Sequence, residues 1–237
     1  MIKLSIVLPA YREKENLEVL IPQIAKEFED TSFEVIVVDD NSGDGTRELI
    51  QELQSRDSRV VLLERPSLLG IGSALRDGFN LARGEFILSS DADQSFSTSD
   101  MRSLFEMIQT GYDMVLGYRT PPSDYGAVNI DASLKGRFEN DLISPMSNFV
   151  IGVVSGLGFK NYNTNFRILR SDLWKGIKTV EDRQFFLFET IYRAKQQGAR
   201  IAEIPVTFVL RRIGESKVSF FRQAPKYVLK LFRIVFS

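Results

Sequence analysis

Five short apolar runs, at residues 2–8, 35–38, 60–63, 86–88 and 114–116, each give way to polar or acidic residues and alternate with stretches of helical spacing. No other feature of the chain narrows its fold so far. Apolar runs of this length bounded by polar residues read as buried strands, and their alternation with helices is the signature of βαβ units. Between them Leu17, Leu20, Ile21, Ile24 and Phe28 recur at helical spacing, as do Leu49 with Leu53 and Leu75 with Phe79 and Ala82. Pro22 is expected to start or kink the first helix. Asp44, in Ser-Gly-Asp-Gly-Thr, is expected to cap the second, with Glu48 in its first turn. Residues 145–156 and 182–197 read as later helices, the second stopped by Gly198. Residues 201–210 read as a strand that Pro205 confines to an edge. The expected fold class is α/β, a mostly parallel sheet flanked by helices.

In open sheets of this kind ligands gather beyond the carboxyl ends of the strands. Those ends carry Pro9-Ala10-Tyr11-Arg12-Glu13, Asp39-Asp40-Asn41-Ser42 and Asp91-Ala92-Asp93. Three polar clusters on strand ends are more than sheet stability requires, so they are expected to form one site. The chain has no His and no Cys, so a general base must be Asp or Glu and a metal must sit on oxygen ligands. Asp91 and Asp93, two residues apart where a strand becomes a loop, suit Mg²⁺ or Mn²⁺, which needs few protein carboxylates when diphosphate oxygens and water complete its shell. A solvated loop or helix cap is the bland alternative for such a triplet. Asp39 and Asp40 are candidates to accept hydrogen bonds from a base edge or ribose hydroxyls, or else serve the turn before the next helix. Gly70-Ile71-Gly72 lacks the full pattern of a phosphate-binding loop and reads as a tight turn with close packing.

Residues 119–140, rich in Pro, Gly, Asp, Ser and Asn, read as a loop and a candidate substrate lid. Between 211 and 233 stand seven basic residues and one acidic one, although the formal charge of the whole is −1. On a helix Arg222, Lys226, Lys230 and Arg233 share one face, opposite Phe221, Ala224, Val228, Leu231 and Val235. Such a helix can lie on a membrane surface, or pack its apolar stripe on the domain. The absence of Cys, of a signal-peptide pattern and of a long apolar stretch leads to an expected cytoplasmic protein that does not span the bilayer. The slightly acidic whole gives no support to nucleic-acid binding.

The order and spacing of these pieces resemble the family-2 glycosyltransferases, and within them the dolichol- or polyprenol-phosphate mannosyltransferase group. The resemblance runs from about residue 3 to 219. It rests on residues 9–17 and 38–46, Gly70 and Gly72 with Gly78 and Ala82-Arg83-Gly84, and Asp91-Ala92-Asp93. Further on come Gly117-Tyr118-Arg119, Ser144 with Asn148, Asn165-Phe166-Arg167 and residues 211–217. It implies a GT-A (Rossmann-like) catalytic domain over 1–219, with a nucleotide-binding part to about 117 and an acceptor part from 118, followed by an amphipathic helix over 220–237. Pro9, Tyr11, Glu13 and Asp40 would line the nucleotide pocket, Asp91 and Asp93 would meet diphosphate and metal, and Ala92 and Gln94 would stand beside them. Arg119, Arg211 and Lys217 would surround the donor diphosphate and the acceptor phosphate, joined at the acceptor by Ser144 and Arg167. Asn140 stands where lipid-phosphate enzymes often place an Arg, and Arg137 is the candidate substitute.

The activity implied is inverting transfer from a nucleoside-diphosphate sugar, GDP-mannose favoured over a UDP-sugar, to a polyprenyl or dolichyl monophosphate on the cytosolic face of a membrane. Further candidate partners are a membrane-anchoring protein or a second copy of the chain. An ionised phosphate acceptor needs no general base. Were the acceptor a hydroxyl instead, Asp182 beside Glu181 is the candidate base, although it could equally cap the following helix. A sugar-phosphate nucleotidyltransferase, which would show glycines after the first strand, and a non-catalytic nucleotide-sugar binding module are the rival classes.

Overall fold

The computed structural model describes residues 1–120, 144–207, 230, 231 and 233–235, with backbone only for 144–147. The first strand, β1 (Leu4–Ala10), leads through α1 (Lys14–Glu27) to β2 (Phe33–Asp39), and α2 (Thr46–Arg56) leads on to β3 (Val60–Glu64). Next come α3 (Ile71–Leu81), β4 (Phe86–Ser89), α4 (Thr98–Gln109) and β5 (Met114–Thr120). After residue 143 follow α5 (Ser144–Ser155), β6 (Arg167–Arg170), α6 (Ser171–Gly176), α7 (Phe186–Gln196) and β7 (Ile201–Thr207). The seven strands form one sheet in the order β3-β2-β1-β4-β6-β5-β7. All neighbours pair in parallel except β6, which runs against both β4 and β5. This is the mostly parallel, helix-flanked sheet expected from the sequence. All five expected strands form, and β7 lies at the sheet edge with Pro205 opposite Tyr118.

Alternation along each strand sorts the core into two layers. Leu4, Ile6, Leu8, Val35, Val37, Phe86 and Leu88 meet Leu17, Leu20 and Ile24 of α1 and Leu104 and Ile108 of α4. Their neighbours Val7, Ile36, Val38 and Ile87 meet Leu75 and Phe79 of α3 and Phe186 and Leu187 of α7. The strands β1, β2 and β4 are therefore buried on both sides, as parallel strands in α/β sheets are.

Three local expectations need correction. Pro22 lies inside α1, which starts at Lys14; Pro22 and Glu18, whose carbonyl it cannot serve, both fall on the exposed face, where water can take the missing donor's place. The cap of α2 is Gly45, in the left-handed region at φ 92°, and not Asp44. Asp44 still serves that helix from one residue further out, accepting from the Thr46 N–H at 3.0 Å and its hydroxyl at 2.6 Å. Nor does Asp182 cap α7, which begins at Phe186. The backbone of 182 is committed to α3, its carbonyl accepting from the Ser73 N–H at 2.9 Å.

Candidate functional site

The parallel register sets Ala10 beside Asp39, so β1 and β2 end together, with β4 on the other side of β1. In the segment that follows each of these strands, two residues on from β1 and β2 and five on from β4, one residue other than glycine has positive φ: Arg12 at 61°, Asn41 at 58° and Gln94 at 59°. Among the described residues no other non-glycine adopts this conformation. It costs energy for a side chain bearing Cβ. Arg12 is held there by its N–H donating to the Ser42 hydroxyl at 2.8 Å, and Gln94 by its amide donating to the Asn16 side chain at 3.3 Å.

One cleft results. Pro9, Tyr11, Glu13, Asp40, Asp91, Ala92 and Asp93 line it together, all of them expected from the sequence. Ala10 and an apolar wall of Leu68, Ile71 and Ala74 complete it. The sequence pattern does not mark this wall, although Ile71 and Ala74 stand on the helix that the spacing of Leu75, Phe79 and Ala82 predicts. Gly70 and Gly72 permit the wall to stand where it does: a Cβ on Gly72 would meet the Phe186 Cβ at 2.6 Å, and one on Gly70 the Asp182 carbonyl at 2.7 Å. That is the tight turn and close packing expected of these glycines.

The two β2 acids part company. Asp39 is turned inward, both oxygens accepting from Ser42, at the hydroxyl and at the N–H (3.2 Å). That is turn chemistry, and Asp39 does not line the cleft; nor does Gln94. Asp40 does, and it is bound by Arg65, whose Nε stands 2.5 Å from it. Arg65 also donates to the Ser73 hydroxyl at 2.7 Å, the Gly70 carbonyl at 3.2 Å and Asp77 at 3.2 Å. Burial opposes the charge on Arg65, but the carboxylates of Asp40 and Asp77 outweigh it and raise the guanidinium above its ordinary value. Arg65 immediately follows β3, and that position at a strand end was the signal that could have found it.

At β4, Asp91 accepts from the Asn165 side-chain amide at 3.3 Å, and Asp93 from the Ser95 N–H at 3.0 Å. Asn165, 3% exposed, thus reaches the acidic pair from the segment just before β6. Two hard carboxylates two residues apart are a donor set that fits Mg²⁺ or Mn²⁺ with open positions for phosphate oxygens. Among the described residues no group of three or more acidic ligands is assembled.

Of the cationic candidates, the described Arg119 and Arg167 part company. Arg119, at the end of β5, is exposed and stands 5.9 Å from the Phe96 ring. Arg167, expected at the acceptor phosphate, is instead 1% exposed within the core, its guanidinium donating to the carbonyls of Leu187 (2.8 Å) and Thr164. Burial pushes its pKa down to about 9. The cause is strand alternation: Phe166 and Ile168 face α1 and α4, which turns Arg167 under α7. Ser144 begins α5. Arg137, Arg211 and Lys217 lie outside the described residues, as do most of the 119–140 loop and of the basic segment. Of that segment, Leu231 and Ile234 are 2% exposed and pack in the α3–α7 layer, while Arg233 is exposed. There the apolar stripe meets the domain. Among the described residues no helix is long and apolar enough to cross a membrane.

The family model for glycosyl transferase family 2 matches residues 5–191. The chain is 29% identical over 221 residues to a polyprenol monophosphomannose synthase of Mycolicibacterium smegmatis, covering 90% of this chain and 80% of that protein. It is 31% identical over 219 residues to an undecaprenyl-phosphate mannosyltransferase of Micrococcus luteus, covering 90% of this chain and 86% of that one. A dolichol-phosphate mannosyltransferase of Pyrococcus furiosus is 31% identical over 218 residues, which are 91% of this chain and 59% of that protein. Among solved structures, the chain superposes on glucosyl-3-phosphoglycerate synthase from Mycobacterium tuberculosis in complex with Mn²⁺, uridine diphosphate and glucosyl-3-phosphoglycerate. The TM-score is 0.72 with 16% identity, over 98% of this chain and 80% of that one, a likeness of fold.

Proposed function

We propose, from the premise that the chain belongs to glycosyl transferase family 2, that it transfers a sugar from a nucleoside diphosphate to a polyprenyl monophosphate at a membrane surface. That it is a glycosyltransferase follows from the family and from the mannosyltransferases it is similar to. The lipid-phosphate acceptor is carried over from what those relatives are named for. The observation that carries the donor side is the convergence of the β1, β2 and β4 ends on one cleft bearing Asp40, Asp91 and Asp93.

In this reading Pro9, Tyr11, Glu13 and Asp40 hold the nucleoside, with Leu68, Ile71 and Ala74 as the apolar wall against it. Asp91 and Asp93 hold Mg²⁺ or Mn²⁺, and Asn165 orients Asp91. When bound, the cation neutralises charge on the departing nucleoside diphosphate. Arg119, with Arg211 and Lys217 and, at the acceptor, Arg137 and Ser144, brings together two anions that would otherwise repel. Arg167 has no part in this, because its guanidinium is spent on buried carbonyls. The acceptor phosphate oxygen is ionised near neutral pH, so it attacks the anomeric carbon without a base as the bond to the diphosphate breaks. The configuration inverts. GDP-mannose is the favoured donor and a UDP-sugar the alternative.

The hydroxyl-acceptor alternative would need Asp182 as base. Asp182 is paired with Arg76 at 2.7 Å and its carbonyl holds α3, which gives this residue a structural occupation.

The test is transfer from GDP-mannose and from UDP-glucose to polyprenyl phosphate in liposomes, with Mn²⁺, Mg²⁺ or EDTA. Metal-dependent formation of a lipid-linked sugar of inverted configuration is expected from one donor. A product of retained configuration, read by NMR, would contradict direct displacement.

A further inference from the structure

The wall of the cleft formed by Ile71 and Ala74 is held from behind by residues that do not line it. Arg76, on the next turn of α3, donates from Nε to the Thr179 hydroxyl at 3.0 Å, from one terminal nitrogen to Asp182 at 2.7 Å and from the other to the Glu181 carbonyl at 2.5 Å. The 179–182 segment answers through the Asp182 carbonyl, which accepts the Ser73 N–H at the start of α3. That segment is fixed in turn by Glu189 of α7, wholly buried, whose carboxylate accepts the N–H groups of Val180 (3.1 Å) and Glu181 (3.0 Å). On its outer side the Glu181 carboxylate, 12% exposed, pairs with Lys230. Lys230 adjoins Leu231 and Ile234, both buried against the domain, and the Tyr192 hydroxyl donates to the Val235 carbonyl at 3.1 Å.

We infer that Arg76 and the Lys230–Glu181 pair are positioning residues for the donor cleft, coupling the seating of the C-terminal segment to the affinity of the nucleotide site. The inference rests on the donor reading above. The route is short and continuous. Lys230 holds Glu181; the 179–182 segment and Arg76 hold the start of α3; the start of α3 sets Ile71 and Ala74. It also sets Asp40, because Arg65 is bonded at once to Asp40, the Ser73 hydroxyl and the Gly70 carbonyl. With Gly70 at φ 106° and no room for a Cβ on Gly70 or Gly72, the start of α3 lies directly against residues 182–186. Loosening the segment therefore releases the wall without removing any group that meets the ligand.

The experiment is binding of GDP and of UDP, with Mn²⁺, to the full chain and to Lys230→Ala, Lys230→Arg, Glu181→Gln and the double variant Lys230→Ala/Glu181→Gln. Titration calorimetry reads affinity, and circular dichroism checks that each variant is folded. Lys230→Ala is expected to weaken the nucleotide that binds the unsubstituted chain by about 5-fold, the lower range for coupled sites. Lys230→Arg should restore most of it, and the double variant should be no weaker than Glu181→Gln alone. Arg76→Gln, which removes three contacts at once, should weaken it further than Lys230→Ala does. A folded Lys230→Ala with unchanged affinity overturns the coupling while leaving the donor reading intact. Failure of the unsubstituted chain to bind either nucleotide overturns the donor reading and the coupling with it.

Discussion

Up to residue 117, the strand ends that stand out in the sequence carry most of their polar residues to a single cleft; beyond it, the two described site arginines part ways, with Arg119 exposed and Arg167 entombed. The difference has a physical origin. A residue at the carboxyl end of a parallel strand has its position fixed by the ladder, so an apolar run followed by acids predicts place as well as type. An arginine has a long side chain and two common fates, solvent or a buried carbonyl cage, and the linear pattern does not choose between them. Arg167 was decided by which way β6 alternates, a register set by pairing with Ser89 and Leu116.

Substitutions at the two regions sharpen that contrast. Asp93→Asn is expected to lower the rate of sugar transfer by about 1,000-fold, of the order seen when one charge-stabilising group at a reacting centre is lost, while thermal unfolding in the absence of ligand moves little. Arg167→Ala should behave in the opposite way, costing about 3 kcal/mol of stability by calorimetry or denaturant titration because it empties buried volume. Arg167→Met, which keeps the volume and discards the buried charge, should recover more than half of that loss. If Arg167→Ala proved stable and inactive, the division between the two arginines would be wrong. Arg119→Ala is expected to lower transfer by about 100-fold with an unchanged melting temperature, the reverse of Arg167.

The smallest effect is in pH dependence. Burial works against the charge of Asp44, but bonds from Thr46 and the Lys14 N–H outweigh it and hold its pKa below the usual 3.8. Its contribution to stability is therefore present above 3.8 and is lost as pH falls through the lower folded value. Burial raises Glu189 above the usual 4.5, more than the N–H groups of Glu181 and Val180 lower it. That group favours folding when protonated, and its contribution is lost as pH rises from 4.5 through the raised value. Stability curves for Asp44→Asn and Glu189→Gln should each lose the corresponding limb, the first on the acid side and the second above it.

Fold class, the five first strands and β7 were legible because each is a run of apolar residues with a polar stop. Boundaries and caps were less so. Asp44 and Asp182 have the right chemistry for N-caps, yet Gly45 supplies the turn geometry in one case and contacts to α3 claim the backbone in the other. Among site residues, Asp91 and Asp93 could be read from position, and Asp40 only as one of a pair. Asp39 could not be told from Asp40, since adjacent residues on a strand point to opposite sides and only tertiary structure shows which side is the cleft. Arg65 and Asn165 were hidden for a related reason: each acts through a carboxylate that another strand supplies.

The measurement closest to the central claim is thermal unfolding of the chain and of Asp91→Asn and Asp93→Asn with GDP or UDP, in Mn²⁺, Mg²⁺ and EDTA, because a ligand that binds only the folded state raises its melting temperature. The account predicts a rise for one nucleotide in the unsubstituted chain that needs the metal and is lost in both variants. A rise of equal size in EDTA, or one retained by both variants, would contradict the assignment of Asp91 and Asp93 to the diphosphate and its cation.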